Sequence, residues 1–525
     1  MSRPDFTQTL GRVALVSCIL LAAGSGAFGA TGMTSNTIAM PSTNVVSAPS
    51  NATLQVTVIE AVLLGLENNR SLRVERFEPD IRRTFEKQAD AAFDPVLSGE
   101  VSGQHNRSQQ PVSGGTELTN VEESTISGSA SLAKTFATGT KISLDGTTLN
   151  DDASDADLFS TTRGGVLITQ SLLQGRGVAV NLASLQQAQL DTRSTEYQLR
   201  GFSEALVARI ESTYWDYALA LRQIEIYTDS LKLASEQLAE TRERIAVGKT
   251  AELDLFSAAA EVSSRETGLI NARSDLDKTR IQFLNLLNPY GANVFQQDIA
   301  LRDSLMMPKV ILDDVSNHVA VALRMRPDLN ETRLAIQRGD LEVVKTRNGL
   351  LPRLDLFVRL GSSGYADSFQ SSAGRVNGDF YDAMAGIQFA YPLGNQSAHA
   401  QYQRAALSRE QTSEILANMQ QLAEMDVRLA YLEVKRAGEE SASIALLVKQ
   451  REEIVSAEME KFRVGKSTTL LVAQTQRDLL VSQIRQIEAI VNYLKSFIEL
   501  YRTEGSLLER RGISAPGRDP VLSTG

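Results

Sequence analysis

The sequence predicts a mainly α-helical protein with a smaller β part, in which one unit of long helices and strands occurs twice. Leu72 and Pro95 in the first copy correspond to Leu329 and Pro352 in the second, at a constant offset of 257. Further along, residues 245–250 correspond to residues 462–467, at an offset of 217. Because each copy has to build the same elements, this duplication sets the fold class before any local pattern is considered.

Composition excludes one class of partner. The chain has 525 residues, with 53 Lys+Arg against 63 Asp+Glu, a formal net charge of −10 and a pI near 5.2. It therefore has no surplus of basic groups to neutralise phosphates. We expect no nucleic-acid partner.

The first residues predict export. Arg3 and Arg12 precede the apolar run 13–23, and small residues follow, so residues 1–29 read as a signal peptide. The only cysteine, Cys18, lies inside that run; its context faintly resembles a lipoprotein signal, which leaves acylation open. Residues 30–53 predict a flexible leader and residues 511–525 a flexible tail. After the signal no apolar stretch is long enough for a transmembrane helix, which leaves a periplasmic, secreted or β-barrel protein.

The long helices follow from the spacing of apolar residues. Residues 178–246 contain one glycine and no proline, and at 1.5 Å per residue they would form a helix about 100 Å long. A return helix is predicted over 251–287, and the second copy repeats the pattern with 398–463 and 468–503. Such lengths are typical of projecting coiled-coil hairpins. The predicted seam, at intervals of seven, is Ile210, Tyr217, Ile224, Leu231, Leu238 and Ile245.

Segments with a period of two lie between the helices. They alternate apolar and polar residues over about ten positions, which is typical of a membrane β-strand. A buried sheet in a soluble domain gives the same pattern, so both readings stay open. Residues 124–162 predict an extra hairpin in the first copy, with an acidic loop at 150–157 inside the same insert. The outward strands carry Leu97, Gly99, Val101 and Gly103, then Leu354, Leu356, Val358 and Leu360; the returning strands carry Val166, Ile168 and Gln170, then Ile387, Phe389 and Tyr391.

These landmarks, duplicated and in this order, resemble the TolC-type outer-membrane efflux and secretion duct family (outer membrane factors) over residues 54–510. The resemblance implies a first repeat at 54–300, a second at 308–510, and a homotrimer. Its strands would close one shared β-barrel in outer-membrane lipid, and its helices would form a tunnel across the periplasm. The implied function is a passive exit duct of a tripartite efflux or type I secretion system. A periplasmic adaptor (membrane fusion protein) and an inner-membrane pump would open it.

The two hairpin tips are the candidate docking sites. Each contains Gly-Lys-Ser/Thr, but the glycine that a phosphate-binding loop needs five residues earlier is Glu243 or Glu460, so nucleotide binding is excluded. A plain helix C-cap glycine explains each tip structurally. The resemblance implies that the same residues dock the adaptor. They are Val247, Gly248, Lys249 and Thr250 in the first tip, and Val464, Gly465, Lys466 and Ser467 in the second.

The resemblance also implies a periplasmic gate lined by carboxylates just beyond each tip. Glu252 and Asp254 fit this in the first repeat, but the second has Leu471 and Gln474, so the acidic ring is incomplete. Carboxylates at a helix N-terminus are also favoured by the helix dipole alone. Both readings remain open.

Nothing in the sequence predicts an enzyme or a cofactor. His105, His318 and His399 lack metal-ligand spacing, and no nucleophile or dinucleotide motif occurs. Trp215, with Tyr214 and Tyr217, is expected to pack between helices. The alternative function is a periplasmic coiled-coil scaffold with a small soluble sheet domain.

Overall fold

The computed structural model describes residues 53–111, 118–153, 156–248, 251–289, 294–307, 312–517 and 519–521. The predicted signal peptide, with Cys18, and all but the last residue of the predicted leader lie outside the described residues. Within the described segments, no helix is both long and apolar enough to cross a membrane.

The elements alternate between helical and β blocks, as the duplication requires. A two-stranded parallel sheet, formed by residues 54–56 and 299–301, joins the start of the first repeat to the segment between the repeats. In chain order the elements are β1 Leu54–Val56, α1 Val58–Asn68, α2 Arg70–Glu75, α3 Glu78–Asp90, β2 Val96–Pro111, β3 Leu118–Thr135, β4 Thr140–Ala153, β5 Ala156–Ser171, α4 Val178–Asn181, α5 Ala183–Ala246, α6 Glu252–Leu287, β6 Ile299–Leu301, α7 Val315–Met325, α8 Pro327–Gly349, β7 Arg353–Ala366, α9 Phe369–Gly374, β8 Tyr381–Ala390, α10 Gln396–Arg463, α11 Thr469–Thr503 and α12 Leu507–Arg510.

Two antiparallel helical hairpins dominate the fold, as predicted. Helices α5 and α10 have 64 and 68 residues, and α6 and α11 return over 36 and 35. The predicted seam is fully buried at Ile210 and Tyr217 but only half-buried from Ile224 onward. Nearer the tip the buried positions of α5 are Ala220, Ala234, Gln237 and Thr241. Helices α1 and α8 pack against the first half of α5: Gln187 and Gln198 donate to Glu342 and Glu331 on α8, and Ile210 lies against Gly65 of α1.

The core lies where the helices of the first repeat meet the small parallel sheet. Tyr214 is fully buried between Trp215 and Phe283, with ring centroids 5.2 and 5.9 Å away. Its hydroxyl donates to Asp303 at 3.0 Å, and the Tyr217 hydroxyl donates to the carbonyl of Ile299 at 3.1 Å. The predicted packing role of these aromatic residues is confirmed.

The larger sheet has six antiparallel strands in the order β2-β3-β4-β5-β7-β8. Val96 and Arg353, which start β2 and β7, keep the same spacing as Leu72 and Leu329, so the sequence offset holds in the structure. Register places the predicted apolar residues on one face of all six strands, which we call the apolar face. It carries Leu97, Val101, Ile126, Leu132, Ile142, Leu144, Val166, Ile168, Leu354, Leu356, Val358, Leu360, Ile387 and Phe389.

The opposite face, which we call the polar face, carries mostly serine, threonine and charged residues, among them Ser98, Glu100, Ser102, Ser129, Lys141, Asp145, Arg163, Arg359, Asp382 and Gln388. Arg163 on β5 donates to Asp145 on β4 at 3.0 Å and to Asp382 on β8 at 2.7 Å. Its guanidinium lies over Gly165 and Gly361, where a Cβ would collide with it. The two glycines therefore make room for an ion network across the sheet.

The insert of the first repeat forms the predicted extra hairpin, whose two strands are β3 and β4. Its bounds differ from the predicted 124–162, because the strands span 118–135 and 140–153, and both belong to the six-stranded sheet. Their connecting turn at 136–139 lies at the helical end, where Asn181 donates to the carbonyl of Ala137 at 2.9 Å. The predicted acidic loop is also largely wrong. Asp151 and Asp152 belong to β4, because the pairing with β3 continues through them.

The end of the chain also differs from its prediction as a flexible tail. Residues 511–517 and 519–521 lie against the helices: Val521 is buried beside Tyr197 and Leu334, and its N–H donates to Asn330 at 2.9 Å. Arg511 donates to the buried Glu211 on α5 at 2.7 Å. The apolar and ionic contacts of these few residues were not visible as a pattern in sequence.

Candidate functional site: the two hairpin tips

The first tip is a tight turn between α5 and α6. The N–H of Val247 donates to Glu243 at 3.2 Å, and that of Gly248 donates to Ile245 at 2.9 Å. Gly248 has φ +71°, in the left-handed region that favours glycine, and nothing lies within 4 Å of where its Cβ would be. Lys249 and Thr250 lie outside the described residues.

The second tip repeats this geometry. Gly465 has φ +76° and is equally open. Val464 donates to Glu460 at 3.2 Å, and Lys466 donates to Lys461 at 2.8 Å, which closes the end of α10. The Ser467 hydroxyl donates to Glu458, and Lys461 contacts the same carboxylate at 3.1 Å. These hydrogen bonds lower the pKa of Glu458, the one from Ser467 contributing most.

Three candidate gate residues lie in the first turns of the two return helices, and the fourth, Gln474, lies in the second turn of α11. Glu252 and Asp254 lie in the first turn of α6, which has no side-chain cap; Glu252 is exposed and Asp254 half-buried. In α11 the Thr468 hydroxyl accepts from the N–H of Leu471 at 3.3 Å. Leu471 and Gln474 are exposed. The structure therefore places all four residues next to the tips, with acidic groups in the first repeat alone.

Both tips expose large apolar side chains, a feature that the sequence analysis missed. The exposed fractions are 66% for Val247, 75% for Leu253, 70% for Phe256, 68% for Val464 and 65% for Leu470. Apolar residues clustered at the end of a helical projection are typical of a protein contact surface. They could have been found from the sequence, because each lies within eight residues of a predicted tip glycine.

A second missed feature joins the two tips. The Arg244 guanidinium stacks over the Phe462 ring, 4.2 Å from its centroid, and donates to the Phe462 carbonyl at 3.2 Å. Arg244 precedes the first tip and Phe462 the second, so the contact holds α5 to α10. The repeats differ here, since the residues at the corresponding positions are Lys461 and Ile245. No local pattern could show this pairing, because it depends on how the hairpins pack.

Deeper between the return helices lies an ionic cluster. Glu261 on α6 is buried, pairs with Arg265 and accepts from Arg477 of α11 at 2.8 Å. Burial lowers the pKa of Arg265, whereas the hydrogen bond to Glu261 raises that of Arg477. The cluster joins the two return helices behind the candidate gate.

The described residues contain no cluster of side chains that could hold a metal ion. His105 contacts Ser124 at 2.9 Å on the apolar face, and His318 pairs with the buried Glu504 among the helices. His399 lies at the start of α10, so the three histidines are on separate elements.

Comparison with known proteins shows the family to which the chain belongs. The sequence profile of the family described as "Outer membrane efflux protein" matches residues 64–288 and 319–506, most of the chain. The protein belongs to the outer membrane efflux protein family. It is an outer-membrane exit duct for efflux, with its helices in the periplasm, and its family is one of transport channels rather than enzymes. The alternative of a periplasmic scaffold is not supported.

The relatives are distant in sequence and close in fold. Outer membrane efflux protein BepC of Brucella suis is 23% identical over 63% of this chain and 70% of its own. Cation efflux system protein CusC of Escherichia coli O157:H7 is 22% identical over 60% of this chain and 57% of its own. A crystal structure of CusC superposes with a TM-score of 0.65 and 16% identity, covering 87% of this chain and 93% of that one.

Proposed function

We propose that three copies of this chain close one β-barrel in the outer membrane, and that an adaptor and an inner-membrane pump open the periplasmic end of the resulting duct. The edges of the sheet support the barrel. Among the described residues, strands β2 and β8 each pair with one neighbouring strand. An unpaired strand edge cannot face lipid, because its N–H and C=O groups have no water to bind.

The directions of the edge strands make them complementary. β2 runs away from the helices and β8 returns to them, so β8 of one copy would pair antiparallel with β2 of the next. Each copy then returns both helical hairpins to the same side of the membrane.

The slope of the apolar band is the single observation that carries the proposal. The apolar band is centred near residue 99 on β2 and near residue 357 on β7. The hydrogen-bonded register, followed over the four steps from β2 to β7, aligns Gly99 with Ser362 and not with residue 357. The band therefore shifts by about one residue per strand. With a rise of about 3.3 Å and a strand spacing of about 4.8 Å, this shift corresponds to a tilt of roughly 35°. Membrane barrels have this tilt.

The tips support the second part of the proposal. In a trimer six tips would surround one axis, and their exposed apolar side chains would need a protein partner in the periplasm. A periplasmic adaptor linked to an inner-membrane pump fits this position. The carboxylates of Glu252 and Asp254 would line the closed entrance beside Leu471 and Gln474.

Disulfide cross-linking tests the barrel. Cys18 lies in the predicted signal, so cysteine pairs can be placed along β2 and β8 of a cysteine-free mature chain. We expect matching pairs to give covalent trimers in the outer-membrane fraction. A pair on the central strands β4 and β5 is the control and should give only monomers. Recovery of the protein in the soluble periplasm, or a ladder extending beyond trimers, would refute the closed trimer.

A further inference from the structure

We infer that the β3–β4 hairpin widens the outer-membrane barrel to eighteen strands, so that the exit admits large hydrated cargo without narrowing below the helical tunnel. The inference rests on the proposed trimer. Its starting point is the difference between repeats: four strands in the first (β2 to β5) and two in the second (β7 and β8).

Only four of the six strands connect to helices. Helix α3 leads into β2, β5 leads to α5, α8 leads into β7, and β8 leads to α10. These four helices contact one another in the order α3, α5, α8, α10. The hairpin lies between β2 and β5, although the helices that continue from these two strands, α3 and α5, contact each other directly. It therefore widens the sheet without widening the layer of helices.

The added width matches what the helices need. Four helices spaced about 8–10 Å apart occupy roughly 32–40 Å of wall. Strands tilted by roughly 35° occupy about 5.9 Å each, so six occupy about 35 Å and four only about 23 Å. With the hairpin the sheet continues the helical wall at the same circumference. Without it the barrel would narrow by about a third.

The turn of the hairpin contacts the segment that connects β5 to the helices. The turn contains Gly139, at φ +86°, where a Cβ would collide with the carbonyl of Gly175. The Asn181 side chain donates to the carbonyls of Ala137, Gly175 and Gly177 at 2.9, 2.8 and 3.1 Å. One amide thus fastens the hairpin turn to the junction between β5 and α4.

The two faces of the hairpin have the same polarity as the corresponding faces of the other strands in the sheet. Its apolar face continues the band with Ile126, Leu132 and Leu144, and its polar face carries serines and threonines. Across β2 and β3, Ser98 bonds Ser131 at 2.8 Å and Ser102 bonds Ser127 at 2.6 Å on the polar face. A hairpin that projected away from the barrel would need neither the continuous apolar band nor this register.

The width sets the size of cargo that can leave. Eighteen strands at this tilt give about 34 Å between opposite strands, against about 23 Å for twelve. Allowing about 5 Å of side chain on each wall, the open bores are about 24 and about 13 Å. The wide form has room for a hydrated polymer or a small folded domain as well as for small solutes.

The test compares the full-length protein with a variant lacking residues 116–153, in which residues 112–115 and 154–155 connect β2 to β5. Both carry Gln388→Cys, on the polar face near the inner end of β8. Maleimide reagents linked to polymers of graded size are added from outside intact cells. We expect a polymer about 18 Å across, between the two bores, to react at least tenfold more slowly with the deletion variant. A small maleimide should react equally with both.

Equal polymer rates in the two proteins would overturn the inference. An electron-microscopy map of the full-length protein provides a second measurement, which stands even if the deletion variant fails to fold. Eighteen wall strands support the inference. A closed trimer with twelve wall strands and the hairpin outside refutes it while the proposed function stands, whereas the absence of a closed trimer refutes the proposed function itself.

Discussion

The two repeats share a scaffold and differ at both ends of the molecule. Their outward strands start at Val96 and Arg353, and their long helices end at Ala246 and Arg463, so both pairs keep the offsets of the sequence duplication. At the membrane end, the first repeat has twice as many strands as the second. At the periplasmic end, the first tip is acidic and the second lacks carboxylates at the equivalent positions. Duplication has therefore kept the arrangement of the long helices, while the strand end and the tip end of the repeats have diverged.

The tips show how equivalent positions can meet the same physical need differently. The N-terminus of a helix has unpaired N–H groups and a partial positive charge. In α11 the Thr468 hydroxyl accepts one of these N–H groups. In α6 the side chain of the cap residue makes no such bond, and Glu252 and Asp254 compensate the charge from the first turn. The first repeat therefore has two carboxylates beside its tip, whereas the second repeat has a threonine cap.

The largest expected effect is at the membrane end. Leu356→Arg should destabilise the assembled duct by about 2–4 kcal/mol, because the apolar face would put a charge into lipid near the bilayer midplane. Gln388→Arg, on the polar face of the neighbouring strand, is the matched control and should insert normally. Heat-modifiability of outer-membrane trimers measures both. If Gln388→Arg fails while Leu356→Arg assembles, the assignment of the two faces is reversed.

Asp355 is an unsuitable control for this experiment. It is 2% exposed and accepts from Ser171 at 3.0 Å. Replacing it would remove a buried contact, whichever face meets lipid.

A second difference between the repeats is a buried carboxyl group on α5, the long helix of the first repeat. Burial raises the pKa of Glu204 on α5 to about 8, although Arg200, which pairs with Glu204 at 3.2 Å and with Glu509 at 2.5 Å, acts in the opposite direction. A carboxyl whose pKa is higher when folded is favoured in its protonated form. Its contribution to stability is therefore complete below about pH 4.5 and is lost as the pH rises through about 8.

The second repeat has Gln421 at the position that corresponds to Glu204 by the offset of the hairpin tips. We expect Glu204→Gln to remove most of the fall in unfolding free energy between pH 5 and pH 8, because glutamine mimics the protonated acid. Urea unfolding of detergent-solubilised protein across this pH range measures it, with Glu225→Gln on the exposed part of α5 as the control. An unchanged pH profile would show that Glu204 is ionised in the folded protein.

The two tip glycines should behave alike, despite the divergence around them. Valine at Gly248 or Gly465 demands a left-handed backbone and should cost about 1–2 kcal/mol locally. We expect each valine variant to distort its tip and lose adaptor cross-linking and export. Asparagine, which tolerates this conformation, should retain both. Normal export by the valine variants would show that the tips serve only to end the helices and do not dock the adaptor.

The smallest expected effect distinguishes the tips by charge. Glu252→Gln with Asp254→Asn should lower cation preference in planar bilayers, and trimers should remain intact. The loss of helix stability should be about 0.3–1 kcal/mol per carboxylate. Gln474→Glu, which makes the second tip acidic, should shift the reversal potential in the opposite direction. Unchanged selectivity in both variants would place the ion-selective region elsewhere.

The sequence by itself determined the parts of this protein that repeat with a period. The heptads give the long hairpins, alternation gives the in-and-out pattern of strands such as β7, and the fixed offset gives the duplication. The tip glycines also followed from sequence, since a helix end with a left-handed residue favours glycine. These features depend on contacts between residues close in the chain, or on a pattern repeated many times.

Tertiary structure alone decided what depends on single contacts between distant segments. The turn of the inserted hairpin lies at the helical end because Asn181 and Gly175 hold it there. Arg163 crosses the sheet to Asp382 because two glycines leave space for it. The chain end packs against α5 and α8 through a few residues such as Val521. One contact between distant residues leaves no period in a sequence, so packing has to bring its partners together before it can be seen.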